Sequence, residues 1–245
     1  MRINQFLSQA GIASRRGADE LIKKGSVRLN GKILLTLGTS INTLNDVVEI
    51  KLDNGMWEGV SISSDKITYA LYKPRGYVTS TRKQGRAPII TSLLPREPRV
   101  FPIGRLDKES EGLILCTNDG EFAVSLTHPR SHVPKKYRVH CTIPRNYTEN
   151  ILKSKLGRIA KGVKLDNKRT LSSNITLVRY LRPGMIELEI TLREGRNRQI
   201  RRMLGKIDLE VIRLIRTDIG NVSISDLQLS EGKWVELTGP QKSLL

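Results

Sequence analysis

Cysteine, histidine and acid are all scarce in this chain, and the shortages narrow the classes of function it can have. The 245 residues contain two cysteines, Cys116 and Cys141, each within or beside an apolar run. No disulfide framework can be built from them, and they read as small buried hydrophobes of a protein in a reducing cytoplasm. His128, His132, His140 and Cys141 match no paired-ligand spacing and no Cys-x-x-Cys occurs, so no metal site is expected. No apolar run approaches the roughly 18 residues of a membrane span. Met1 to Gln5 also lacks the apolar core of a signal peptide, so no membrane partner is expected. A glycine-rich cofactor loop with an acid about 20 residues beyond it is missing too, which argues against a methyltransferase. Acid is the widest shortfall: 24 Asp plus Glu stand against 42 Lys plus Arg, a net charge of +18. That excess costs self-repulsion and calls for a polyanionic partner, nucleic acid before an anionic membrane surface.

The first thirty residues form a legible unit. Ile3, Phe6, Leu7 and Ala10 recur at helical spacing and Gly11 ends that helix. Ser14 caps a second helix with Ala18, Leu21 and Ile22 on its apolar face and Gly25 as its stop. Val27 and Leu29 then lead into Asn30-Gly31, a strong hairpin signal. Arg15 and Arg16 stand in the first turn of the second helix, where the helix dipole disfavours cations, and Lys23, Lys24, Arg28 and Lys32 follow. Such a cluster is either a solvated basic face or an RNA-phosphate contact, and the overall charge favours RNA. Val47 to Ile50 reads as a closing strand, Asp53-Asn54-Gly55 as a turn, and Ser61 to Asp65 as a linker. The domains expected are 1–62 and 66–245, with the boundary near residue 64.

The larger part opens with a strand at Ile67–Tyr72, and residues 81–99 read as a mobile basic loop. Two short apolar strands, Val100–Ile103 and Leu113–Cys116, bracket a polar stretch from Gly104 to Gly112. A loop held between buried strands is a place to present a reactive side chain, although an Asp there equally serves as a turn residue or cap. Tyr137 lies among Lys135, Lys136 and Arg138, as a residue stacking on a base or as a half-buried strand residue. Ile186–Leu192 alternates as a half-buried strand and feeds a helix from about Asn197, with Ile200, Met203 and Leu204 facing the core. Arg198, Arg201 and Arg202 are expected to cluster in space with few acids near them, which asks for phosphate, a carboxylate, or both.

Three motifs together resemble the bacterial ribosomal pseudouridine synthases of the RsuA/RluB/RluF family: Gly-Arg-Leu-Asp with Ser-Glu-Gly-Leu at 104–113, Lys-Lys-Tyr-Arg-Val at 135–139, and Gly-Arg-Asn-Arg-Gln-Ile-Arg-Arg-Met at 195–203. Residues 100–107 and 28–32 look closest to the large-subunit RluF branch, and the N-terminal module resembles an S4-type RNA-binding domain. The resemblance implies an α+β protein: that small domain, then a catalytic domain on a mixed, mainly antiparallel sheet flanked by helices. It implies that Asp107 is the essential carboxylate and that Arg105 helps hold the target nucleotide out of its helix. Tyr137 would stack on the uracil, and Arg201 would pair with Asp107, with Arg198 as the alternative. It further implies a cofactor-free isomerisation of uridine to pseudouridine by a monomer. The RNA would be ribosomal, the large subunit first, with the small subunit or tRNA as alternatives. A non-enzymatic RNA-binding factor is the rival reading, but it needs neither the residues after Asp65 nor the Asp107 loop.

Overall fold

The computed structural model describes residues 1–62, 65–82 and 85–245. The expected boundary near residue 64 lies outside the described residues. Two compact units emerge: residues 1–67 with 97–100 and 118–120, and the remainder of the chain.

The first unit holds α1 (Ile3–Gln9), α2 (Arg15–Lys23), β1 (Val27–Leu29), β2 (Lys32–Ile33), β3 (Val48–Lys51) and β4 (Trp57–Gly59). Ser14 caps α2 by accepting the Gly17 N–H at 3.1 Å, and Gly25, at φ +67°, turns the chain out of the helix. Asn30 and Gly31 both take positive φ, as the tightest hairpin turn requires, and join β1 to β2. The strands order β2-β1-β3-β4, and their inner face meets Ile3, Phe6, Leu7, Ala18 and Ile22 from the helices. The expected closing strand is present one residue later, as β3. Strand β4 carries too little alternation to be read from three residues.

The second unit contains β5 (Thr68–Lys73), β6 (Phe101–Ile103), β7 (Glu111–Thr117), α3 (Gly120–Thr127, entered from the first unit), β8 (Lys135–Thr142), α4 (Glu149–Ala160), the short pair β9 (Lys164–Leu165) and β10 (Lys168–Arg169), β11 (Asn174–Arg182), β12 (Met185–Leu192), α5 (Gln199–Gly205), β13 (Glu210–Ile219), β14 (Val222–Ser223), β15 (Trp234–Glu236) and α6 (Gly239–Ser243). A long sheet runs β11-β12-β8-β13-β7-β5-β15, with β14 on β13 and β6 on β7. Of its pairings among the described residues only β13 with β7 is parallel, so the sheet is mixed and mainly antiparallel, as expected. None of the described helices is long and apolar enough to cross a membrane.

Three local expectations need correction. The polar stretch 104–112 is shorter than its composition suggests, because Glu111 and Gly112 already belong to β7. In the basic segment 81–99, Ile90–Leu93 forms a single 3₁₀ turn with Ile90 fully buried, while Lys83 and Gln84 lie outside the described residues. Strand β12 is more than half buried: Glu187 is sequestered with its apolar neighbours, since its carboxylate is hydrogen-bonded to the His140 ring at 2.9 Å and paired with Arg179 at 3.4 Å.

Candidate active site

Asp107 sits in a loop whose backbone is pinned on both sides. Leu106 is buried; its N–H donates to Thr79 Oγ1 at 3.2 Å, and the Thr79 hydroxyl donates back to the Leu106 carbonyl at 2.7 Å. Beyond Asp107, the Lys108 carbonyl accepts from Gly76 N–H at 2.7 Å, and Ser110 N–H closes a turn onto the Asp107 carbonyl at 3.0 Å. Lys73, fully buried at the end of β5, completes the frame. Its ammonium donates to the carbonyls of Ser110 at 2.5 Å, Pro74 at 3.0 Å and Lys108 at 3.5 Å. Without it, the carbonyl of buried Ser110 would lose this donor, a cost of about 1–3 kcal/mol. Burial pushes the Lys73 amine down to about 8, against the opposing pull of Glu111 and Asp107.

The Ser-Glu-Gly run after Asp107 has a structural reason at each residue. Ser110 supplies a carbonyl to Lys73. Buried Glu111 takes both Nε and Nη2 of Arg213 on β13, at 2.7 and 2.9 Å. Gly112, at φ +104°, lies where β7 meets β13, and a Cβ there would stand 2.3 Å from the Arg216 carbonyl. Only glycine allows that parallel pair to close.

The arginines around α5 go to separate destinations. Arg196 donates to Glu194 at 3.1 Å and to the carbonyls of Lys168 at 2.9 Å and Arg169 at 2.5 Å, tying the β9–β10 hairpin to the site. Arg198 has φ +47°, so the helix starts at Gln199 rather than Asn197. Its Nη1 lies 3.0 Å from Glu109 Oε2 and 3.9 Å from Asp107 Oδ2. Arg201 donates to the Val211 carbonyl at 2.7 Å, while its Nε and Nη2 are buried with no hydrogen-bond partner among the described residues. Arg202 forms a two-pronged pair with Asp166 at 2.6 and 2.7 Å. The expected three-arginine cluster is found in part: Arg198 and Arg201 are near enough to repel each other, whereas Arg202 is held by Asp166, a carboxylate distant in sequence. Acids do lie near these arginines, and Arg198 rather than Arg201 reaches ion-pair distance of Asp107.

Asp107, Arg105, Tyr137 and Arg198 line one cavity of about 520 Å³, whose apolar walls include Leu115, Leu192 and Leu214. Its size falls in the range of about 300–1,000 Å³ usual for small-molecule and nucleotide sites. Arg105 is exposed, whereas Tyr137 is buried on β8, its register partner on β13 being Arg216. Tyr137 is thus both strand residue and cavity wall. Sequence reasoning missed Lys73, Thr79 and Arg216. Lys73 reads as the first residue of a Lys-Pro-Arg-Gly turn, and nothing local marks the others. In the first unit, Arg15, Arg16, Lys23, Lys24 and Lys32 are exposed. Lys23 pairs with Glu20 at 3.0 Å, and the Arg28 guanidinium lies 4.0 Å over the Trp57 ring. Trp57 was not anticipated as a partner.

Comparison with known proteins places this geometry. The RNA pseudouridylate synthase family model matches residues 67–206, and the S4 domain model matches residues 1–48. The ribosomal large subunit pseudouridine synthase B of Bacillus subtilis is 34% identical over 97% of this chain and 92% of its own. The dual-specificity RNA pseudouridine synthase RluF of Escherichia coli is 36% identical over 97% of this chain and 76% of its own. Among solved structures, a pseudouridylate synthase crystal structure matches all of both chains at 25% identity with a TM-score of 0.67. With a family model over more than half its length and relatives over nearly all of it, this chain belongs to the RNA pseudouridylate synthase family and carries an S4 domain at its N-terminal end.

Proposed function

We propose that this protein converts a uridine of ribosomal RNA, in the large subunit, to pseudouridine, with Asp107 as its reactive carboxylate. The observation that carries the reading is the pinned loop that offers Asp107 to the Tyr137 cavity, with the Arg198 guanidinium 3.9 Å away. The Bacillus subtilis relative, a ribosomal large subunit pseudouridine synthase, supports the choice of RNA.

Pseudouridine formation breaks the bond from the anomeric carbon to ring nitrogen one, turns the base, and joins ring carbon five to the sugar. Ring carbon five loses a proton and nitrogen one gains one, so the reaction is an isomerisation and needs no redox partner or energy input. A carboxylate in this place serves by attack on the anomeric carbon or by removing the neighbouring ribose proton. Either role uses the carboxylate form of the side chain, and Arg198 Nη1 stands 3.9 Å from Asp107 Oδ2. Arg201, bonded to the Val211 carbonyl, acts on Asp107 through its charge rather than by a direct bond. The target uridine must leave its stack, at a cost of about a few kcal/mol. Stacking on Tyr137 offsets that by roughly 1–3 kcal/mol, and Arg105 at the mouth keeps the nucleotide from returning. The S4 unit, through Arg15, Arg16, Lys23, Lys24, Arg28 and Lys32, holds the surrounding RNA by its phosphates. In domain terms, residues 1–62 bind and residues 66–245 catalyse.

Incubation of the wild type and Asp107→Ala with unmodified ribosomal RNA, followed by carbodiimide treatment and primer extension, tests this directly. A stop at one large-subunit uridine with the wild type alone is the expected result. Tight binding with no stop, on naked RNA and on partly assembled subunits alike, would make the protein a binding factor.

A further inference from the structure

Arg216 has no place in the function proposed so far, yet it is the cavity group whose environment is least explained by the fold. It is 3% exposed and lines the cavity. Its Nε donates to the Leu113 carbonyl at 2.7 Å, and its Nη2 is buried with no partner. Among the described residues it forms no ion pair, in contrast to Arg213 three residues earlier, which Glu111 neutralises. Lys135, also on the cavity wall, donates among the described residues to the Val133 carbonyl at 2.9 Å. Arg216 and Lys135 thus line the cavity that also holds Asp107, and among the described residues neither forms an ion pair with a carboxylate. Burial holds the Lys135 amine below its usual range, and Arg216 pushes it the same way. An unpaired buried arginine is costly, and such a cost is tolerated where an anion arrives during function.

We infer that Arg216 is a catalytic residue that donates a hydrogen bond to a carbonyl oxygen of the departing uracil and so stabilises the negative charge the base takes up when its glycosidic bond breaks. This rests on the proposed function and adds a second charged participant to it. The electron pair of the broken bond stays on the base, spread over its ring nitrogen and carbonyl oxygens. Arg216 keeps its proton throughout. The pair is returned when ring carbon five bonds to the sugar, and the charge on the base disappears. Register pairs Arg216 on β13 with Tyr137 on β8, and both line the cavity, so a base lying against the tyrosine lies in the same cavity as the guanidinium. Donors aimed at developing charge in a site shielded from water are worth roughly 10²–10³-fold in rate.

The test compares two RNAs, one with uridine and one with 5-fluorouridine at the target position, measuring single-turnover cleavage of the glycosidic bond. The fluorinated base is the more acidic, so its departure needs less help. Wild-type turnover of the uridine RNA tests the proposed function by itself. Arg216→Gln is expected to slow the uridine RNA about 10²-fold and the fluorinated RNA markedly less. Arg216→Lys, which keeps a charge, should fall between. The ratio of the two rates within one preparation is independent of how much of a variant is folded. An unchanged ratio in both variants, with the wild type active, would overturn the inference and leave Arg216 as a support for β7.

Discussion

The arginines of α2 and those around α5 are the same residue type put to opposite uses. Arg15 and Arg16 stand exposed at the start of α2, with no side-chain hydrogen bond or ion pair among the described residues. Near α5, Arg196, Arg198, Arg201 and Arg202 each bond a protein acceptor: loop carbonyls, Glu109, the Val211 carbonyl and Asp166. Charge that the fold leaves unspent is available to a polyanion, and its worth falls with salt. Charge bound to carbonyls and carboxylates has become scaffold, and its removal costs stability or geometry. A basic run in a sequence does not disclose which of these it is.

Substitutions separate the two uses, and the largest effect is expected where the scaffold is tightest. Gly112→Ala puts a Cβ against the Arg216 carbonyl in a left-handed backbone, so destabilisation by more than about 3 kcal/mol is expected in thermal unfolding. Next, Arg198→Ala should lower kcat/KM about 10²-fold, and Arg201→Ala less than about 10-fold, if the 3.9 Å contact with Asp107 identifies the working partner. A reversed order in steady-state kinetics would restore Arg201 to that role. Arg15→Glu combined with Arg16→Glu should leave the melting temperature unchanged and reduce the salt slope of RNA binding by about two. Arg196→Ala should do the converse, lowering the melting temperature at an unchanged slope. Tyr137→Phe, the mildest, should retain activity within a few-fold if the ring stacks; loss of activity would show that the hydroxyl has a chemical task.

Lys73 adds a pH test of buried scaffold charge. Its amine titrates near 8 in the folded protein, against 10.5 in its absence of structure. Between those values the unfolded chain holds a proton that the native chain has lost, so stability rises with pH across that window. The relative gain is complete above the unfolded value and lost as pH falls through 8. The melting temperature of the wild type, measured against Lys73→Met, should therefore improve from pH 8 to pH 10. A flat difference would show that Lys73 does not titrate there.

Much of the fold was legible where signals are local. Ser14, Gly25 and Asn30-Gly31 each act on neighbours a few residues away, so α2 and the β1–β2 turn could be read directly. Asp107 and Tyr137 were found from motif resemblance, and the structure brings both to one cavity. What escaped depends on long-range partners. Glu111 looks like loop polarity until Arg213 is seen beside it, and Gly112 looks like the end of the polar stretch until β13 is seen paired against it. Arg216 sits in a strand of mixed character, and only its missing counter-ion sets it apart. The arginine register near Asp107 turned on one left-handed residue, Arg198, which helical periodicity does not foresee.

Tritium release from ribosomal RNA labelled at carbon five of its uridines tests the central claim most directly, since new bond formation there must expel that hydrogen. Wild-type protein should release label from one site per RNA. Asp107→Asn should release at least about 10³-fold more slowly while binding the same RNA equally well. Release by Asp107→Asn within about 10-fold of wild type would contradict the role given to Asp107 and with it the reading of the cavity.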